Sequence, residues 1–79
     1  MSNKEIYDQS FCTSFSLPNE GIDEALEYNS IPEWDSIGHM ELMAALEEGF
    51  EITLEMDDII DFSSYKKGIE ILKKYAIEL

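Results

Sequence analysis

Residues 37–48 constrain this chain more than any other stretch. They read Ile-Gly-His-Met-Glu-Leu-Met-Ala-Ala-Leu-Glu-Glu, with no helix breaker after Gly38. Ile37, Met40, Met43 or Ala44, and Glu47 recur at helical spacing, and Leu42, Leu46 and Phe50 form a second apolar row. A helix that is apolar over much of its circumference must sit centrally in a bundle or share a face with a partner. Asp35 and Ser36 are both good helix-start residues, and Gly49 is a plausible stop.

The rest of the chain has to pack around that helix. With 79 residues, 1–79 is one small domain, too short for most folds that wall a deep catalytic cleft. Ten Ile, seven Leu and four Phe make up about a quarter of it, above the ~20% below which high charge predicts disorder. A first helix is expected over about 3–14, turning Ile6, Tyr7, Phe11 and Phe15 towards a core. Pro18, Asn19, Gly21, Asn29, Ser30 and Pro32 mark 16–33 as a long loop, with a short helical piece around 22–28. Phe50-Glu51-Ile52-Thr53-Leu54-Glu55 alternates with period two, but a lone strand has no partner here. It is expected to be an extended link that inserts Phe50, Ile52 and Leu54 into the core. A short third helix follows at about 56–61, with acids in its first turn where the dipole favours them. Ser63 or Ser64 can cap a last helix at about 65–77, with Tyr65, Ile69, Leu72 and Ala76 along one face. The expectation is all-α: a small four-helix bundle of three longer helices and a short third one. It closes around Leu42, Leu46, Phe50, Ile59, Ile69 and Leu72.

Charge narrows the choice of partner. Eighteen acids against five lysines give −13, and sixteen of the acids lie between Lys4 and Lys66, where there is no Lys or Arg. Nucleic acid and anionic membranes are themselves polyanions, so both are disfavoured, and partners with basic surfaces are favoured. Cys12 is the single cysteine, so no internal disulfide can form. There is no run of ~18 apolar residues and no apolar signal core, which makes a cytoplasmic location the expectation.

The chemistry concentrates at Glu33-Trp34-Asp35-Ser36-Ile37-Gly38-His39-Met40-Glu41-Leu42. A serine at the head of an amphipathic helix has an accessible hydroxyl, and free N–H groups with the positive dipole end favour an anion there. Asp35-Ser36-Ile37, continued by Gly38-His39-Met40-Glu41-Leu42 and Leu46-Glu47-Glu48-Gly49-Phe50, resembles the acyl and peptidyl carrier protein family. The resemblance spans residues 30–76 and does not extend over 1–29. It implies that Ser36 bears a 4′-phosphopantetheine arm derived from coenzyme A, whose thiol carries acyl or aminoacyl groups as thioesters. It also implies that Ile37, Met40 and Ala44, with Asp35, Glu41, Glu47 and Glu48, form the surface that partner enzymes read. Those partners would be a phosphopantetheinyl transferase, a loading ligase and a cargo-using synthase or transferase. Ile37 stands where the family usually has Leu, a conservative departure. Trp34 before the Asp, and Gly38-His39 in place of an acid, are more similar to discrete carriers of specialised pathways than to housekeeping fatty-acid carriers. Met40, Met43 and Met56 supply adaptable apolar walls that can shelter a chain between helices.

Other readings are open on the same residues. Ser36 can be a plain helix cap. Ser36 with His39 lacks the third group and the oxyanion loop of a hydrolase, so no catalytic residue is expected. Asp57, Asp58 and Asp61 lack the glycine and closing Glu of a calcium loop, so no metal site is expected. Trp34 reads as a loop anchor and His39 as a helix-surface residue. An aminoacyl or peptidyl carrier is the nearest alternative. An acidic helical inhibitor of a basic partner is the alternative from a different class. The small apolar stripe makes monomer the expected state.

Overall fold

The structure is a computed structural model that describes residues 2–79. Four α-helices follow in order: α1 (Asn3–Phe15), α2 (Ser36–Phe50), α3 (Met56–Asp61) and α4 (Tyr65–Lys73). A 3₁₀ turn at Asn19–Gly21 lies between α1 and α2. Among the described residues the extended backbone makes only an isolated bridge between Glu27 and Ser64. The fold is thus the small all-α bundle expected from the apolar periodicity.

A capping box starts α1: Glu5 N–H donates to Ser2 Oγ at 3.2 Å, and Ser2 N–H donates to Glu5 Oε1 at 3.1 Å. Tyr7, Phe11 and Phe15, one turn apart, are buried, while Ile6 stays half-buried. They build an aromatic core with Trp34. Phe11 meets Trp34 edge-on at 5.5 Å, and Phe15 stacks on it at 5.2 Å. The buried Tyr7 phenol donates to the carbonyl of Tyr65 at 2.6 Å, and its burial pushes the phenol pKa well above the usual value.

α2 buries Leu42, Met43 and Leu46. It runs one residue past Gly49, because Glu51 takes the left-handed turn (φ 55°) and donates its N–H to Glu47. Leu54 then enters the core, and Phe50 and Ile52 lie half-buried along its margin, as do Ile59 and Ile69. Leu42, Leu46 and Leu72 are fully buried, as expected.

Two expectations are corrected. Residues 22–28 form no helix. Asp23 Oδ1 accepts the N–H of Ala25 at 2.8 Å, and Leu26 and Tyr28 pair with the start of α4 instead. Tyr65 N–H donates to Leu26 O, and Tyr28 N–H donates to Ser63 O, both at 2.9 Å. Those backbone groups are therefore taken from any local helix. The last helix stops at Lys73 rather than near 77. Ala76 adopts φ 63°, Ile77 N–H closes back on Leu72 O at 3.1 Å, and Ile77 is buried. Turning Ile77 inward buries an apolar side chain that a longer helix would not place there. The inward face of α4 is accordingly Tyr65, Gly68, Ile71 and Leu72, and Ala76 is exposed. Ser64, not Ser63, caps the helix, accepting Lys67 N–H at 2.9 Å. α4 crosses so close to the core that a Cβ on Gly68 would lie 2.2 Å from both Phe62 Cζ and Tyr7 Oη.

Candidate functional site

Ser36 is the first residue of α2 and is exposed. Asp35, not Ser36, is the cap: its Oδ1 accepts Gly38 N–H at 2.8 Å, and its carbonyl accepts His39 N–H at 2.8 Å. The serine hydroxyl is thereby left without a capping duty. Its neighbour is the phenol of Tyr28, with Oη 3.1 Å from Ser36 Oγ. The N–H groups of Ser36 and Ile37 belong to the first helical turn, where no carbonyl of the helix reaches them.

The chain segment before Ser36 is held by Trp34, which is fully buried. Its indole N–H donates to His39 Nδ1 at 2.9 Å, and His39 Nε2 lies 2.8 Å from Ile59 O. An indole N–H can only donate and a carbonyl can only accept. The neutral tautomer with hydrogen on Nε2 therefore satisfies both bonds. His39 is half-buried, not a surface residue, and it ties the loop, α2 and α3 together. Neither of its ring nitrogens bonds Ser36, so no Ser–His pair is formed. Trp34 is the expected loop anchor, and its burial removes it from any contact surface.

A pocket of about 420 Å³ opens beside Ser36. Tyr28, Ser36, His39 and Ser63 edge it, and its walls are Met40, Met56, Ile59, Ile60 and Phe62. Met43, expected with the other methionines, is in the core instead. Ile37, Met40, Met56 and Ile60 are exposed at 73%, 55%, 70% and 69%, whereas the other described Ile, Leu and Met side chains are buried or half-buried.

The residues expected to meet partners fall on one face of α2. Ile37, Met40, Glu41, Ala44 and Glu48 are spaced three to four apart and are all exposed, with Asp35 exposed just before them. Glu47 differs. It is half-buried, and its Oε2 accepts Leu54 N–H at 2.8 Å, which fastens the link after α2. The chain matches no family model, no curated protein and no solved structure. Chemistry and geometry therefore carry the functional reading.

The bond between Tyr28 and Ser36 has no sequence signal, since the two are eight residues apart across a loop. The His39 bridge has a weak one: a Trp five residues before a His near a helix start. Among the acids of α3, Asp58 is the one held firmly. It pairs with Lys74 Nζ and accepts Tyr75 Oη–H at 2.6 Å. Chiefly the Lys74 ammonium, then the Tyr75 phenol, holds its carboxyl below the usual carboxylate range. Cys12 is half-buried on α1, and burial raises its thiol pKa, which disfavours the reactive thiolate. Among the described residues, no helix is long and apolar enough to cross a membrane.

Proposed function

We propose that this chain is a carrier that bears acyl groups as thioesters on a 4′-phosphopantetheine arm attached to Ser36. The observation that carries this reading is the division of labour at the head of α2. Asp35 satisfies the helix start, so the Ser36 hydroxyl is exposed and free to be esterified. A phosphodiester suits that point: Ser36 is the first residue of α2, and the positive end of the helix dipole favours negative charge there. The arm, once attached, supplies the thiol that holds the cargo.

The remaining residues serve presentation. The apolar and acidic face of α2 (Ile37, Met40, Glu41, Ala44 and Glu48) offers docking partners an aliphatic centre with carboxylates beside it, and carboxylates steer basic enzymes towards Ser36. Those partners are a phosphopantetheinyl transferase, a loading ligase and a synthase or transferase that uses the cargo. The apolar wall of the pocket beside Ser36 supports an acyl cargo over an aminoacyl one. A cytoplasmic location is part of this reading.

The test is mass spectrometry after incubation with coenzyme A and a broad-specificity phosphopantetheinyl transferase. The expected result is a gain of one phosphopantetheinyl group in the native chain and none in Ser36→Ala. No gain, or a gain that survives Ser36→Ala, overturns the proposal.

A further inference from the structure

We propose that Tyr28 is a positioning residue for the group on Ser36, its phenol O–H donating to a non-bridging oxygen of the phosphodiester and so fixing the root of the arm. This rests on the carrier reading of Ser36 and adds a residue to it.

The starting point is the 3.1 Å contact between Tyr28 Oη and Ser36 Oγ, in which either hydroxyl can donate. Esterification removes that freedom. Ser36 Oγ forms the new bond to phosphorus. The anhydride P–O bond of coenzyme A breaks, and its electron pair leaves on the adenosine bisphosphate. The hydroxyl proton passes to a base of the transferase. Ser36 Oγ then carries no hydrogen, so the phenol must be the donor. The non-bridging oxygens next to it are charged, and a charge-assisted hydrogen bond is about twice as strong as a neutral one.

Two other hydroxyl or imidazole side chains edge the pocket, Ser63 and His39, and of the hydroxyls it is Tyr28 that lies within hydrogen-bond distance of Ser36 Oγ. All five basic residues are lysines, at 4, 66, 67, 73 and 74, and none lines the pocket beside Ser36. Both nitrogens of His39 are engaged by Trp34 and Ile59. The Asp35 carboxylate repels a phosphodiester.

Tyr28 is also held in place beforehand. Its N–H donates to Ser63 O, and the next N–H, from Asn29 at φ 67°, donates to Trp34 O, both at 2.9 Å. Its ring meets His39 edge-on at 5.6 Å. A preorganised donor gives up little freedom on binding. Because Tyr28 and Ser36 edge the same pocket, a phosphodiester held between them lies at its mouth, with Met40 and Met56 beyond.

Tyr28→Phe keeps the ring on His39 and deletes only a hydroxyl at the surface. Native and Tyr28→Phe chains are each loaded from coenzyme A by the transferase, checked by mass, and compared by phosphorus NMR. The expected result is equal mass gain and an unchanged unfolding midpoint. The phosphodiester resonance is displaced in the variant, and its transverse relaxation is slower because the root of the arm is freer. Loss of one hydrogen bond also predicts a fall of about two- to tenfold in kcat/KM for the loading step. Identical phosphorus shift and relaxation in the two loaded chains overturn the role of Tyr28 and leave Ser36 as the attachment point. A native chain that takes up no mass overturns both.

Discussion

Gly38 decides how the loop meets α2, two residues past Ser36. A Cβ there would lie 2.0 Å from the carbonyl oxygen of Glu33 and 3.3 Å from Phe15. The first of these is backbone, which cannot rotate away. The position after Ile37 therefore has no room for a side chain, and the absence of an acid there follows from packing. Two effects oppose each other in Gly38→Ala. Alanine favours a helix interior by about 1 kcal/mol, while forcing a methyl against a fixed neighbour costs about 1–3 kcal/mol. A 2.0 Å approach to backbone puts the clash towards the upper end of that range, so Gly38→Ala should lower stability to urea, by up to about 2 kcal/mol net. Equal urea midpoints would show that the turn over 33–38 yields freely.

At the scale of elements, α3 is the dependent one. Its six residues are far below the roughly 12–15 at which an isolated helix is marginal in water. Three bonds from elsewhere hold it: His39 to Ile59 O, Asp58 to Lys74, and Asp58 to Tyr75, whose Oη also accepts Glu55 N–H at 2.9 Å. α3 is one wall of the pocket, so the shape of the site depends on those bonds. The Asp58 carboxyl is held below its ordinary pKa, first by Lys74 and then by Tyr75. Its contribution is then fully present above the unfolded carboxylate pKa of about 4 and is lost as pH falls through the lower folded value. Asp58→Asn should unfold at a lower temperature than the native chain at pH 7. The gap should close as the pH drops below about 4. A gap of constant size from neutral to acid pH would show that the carboxylate charge contributes nothing.

The whole molecule carries −13 within 29 × 27 × 20 Å. The Debye length is about 30 Å at 0.01 M salt and about 8 Å at 0.15 M. At low salt every carboxylate therefore repels every other across the full body, and at 0.15 M only near neighbours do. Of the three ion pairs among the described residues only Lys74–Asp58 has a largely buried carboxylate; Lys4–Asp8 and Lys67–Glu70 lie at the surface, where a pair contributes about 0–1 kcal/mol. The unfolding temperature should rise as salt goes from 0.01 to about 0.15 M. A fall over that range would mean that the ion pairs outweigh the repulsion. The same excess charge faces outward along α2, where it serves the proposed docking of basic enzymes.

Local interactions made the legible parts of this protein legible. The apolar periodicity of 37–48, the Asp35-Ser36 start and the acids at the head of α3 act within one or two turns, so the sequence alone located α1, α2 and α3. It also placed Ser36 at the head of its helix, but left the cap of α4 open between Ser63 and Ser64 and did not show Ser2 as the cap of α1. The stop of α4 at Lys73 was not legible, because it depends on Ile77 finding the core. The loop over 22–28 was not legible, because Leu26 and Tyr28 give their backbone to Ser63 and Tyr65, more than thirty residues away. The His39 bridge and the Tyr28–Ser36 contact belong to the same class. Sequence spacing fixes which residues share a face of one helix. Which side chains from separate segments meet depends on how the bundle closes, and only the tertiary structure decided that.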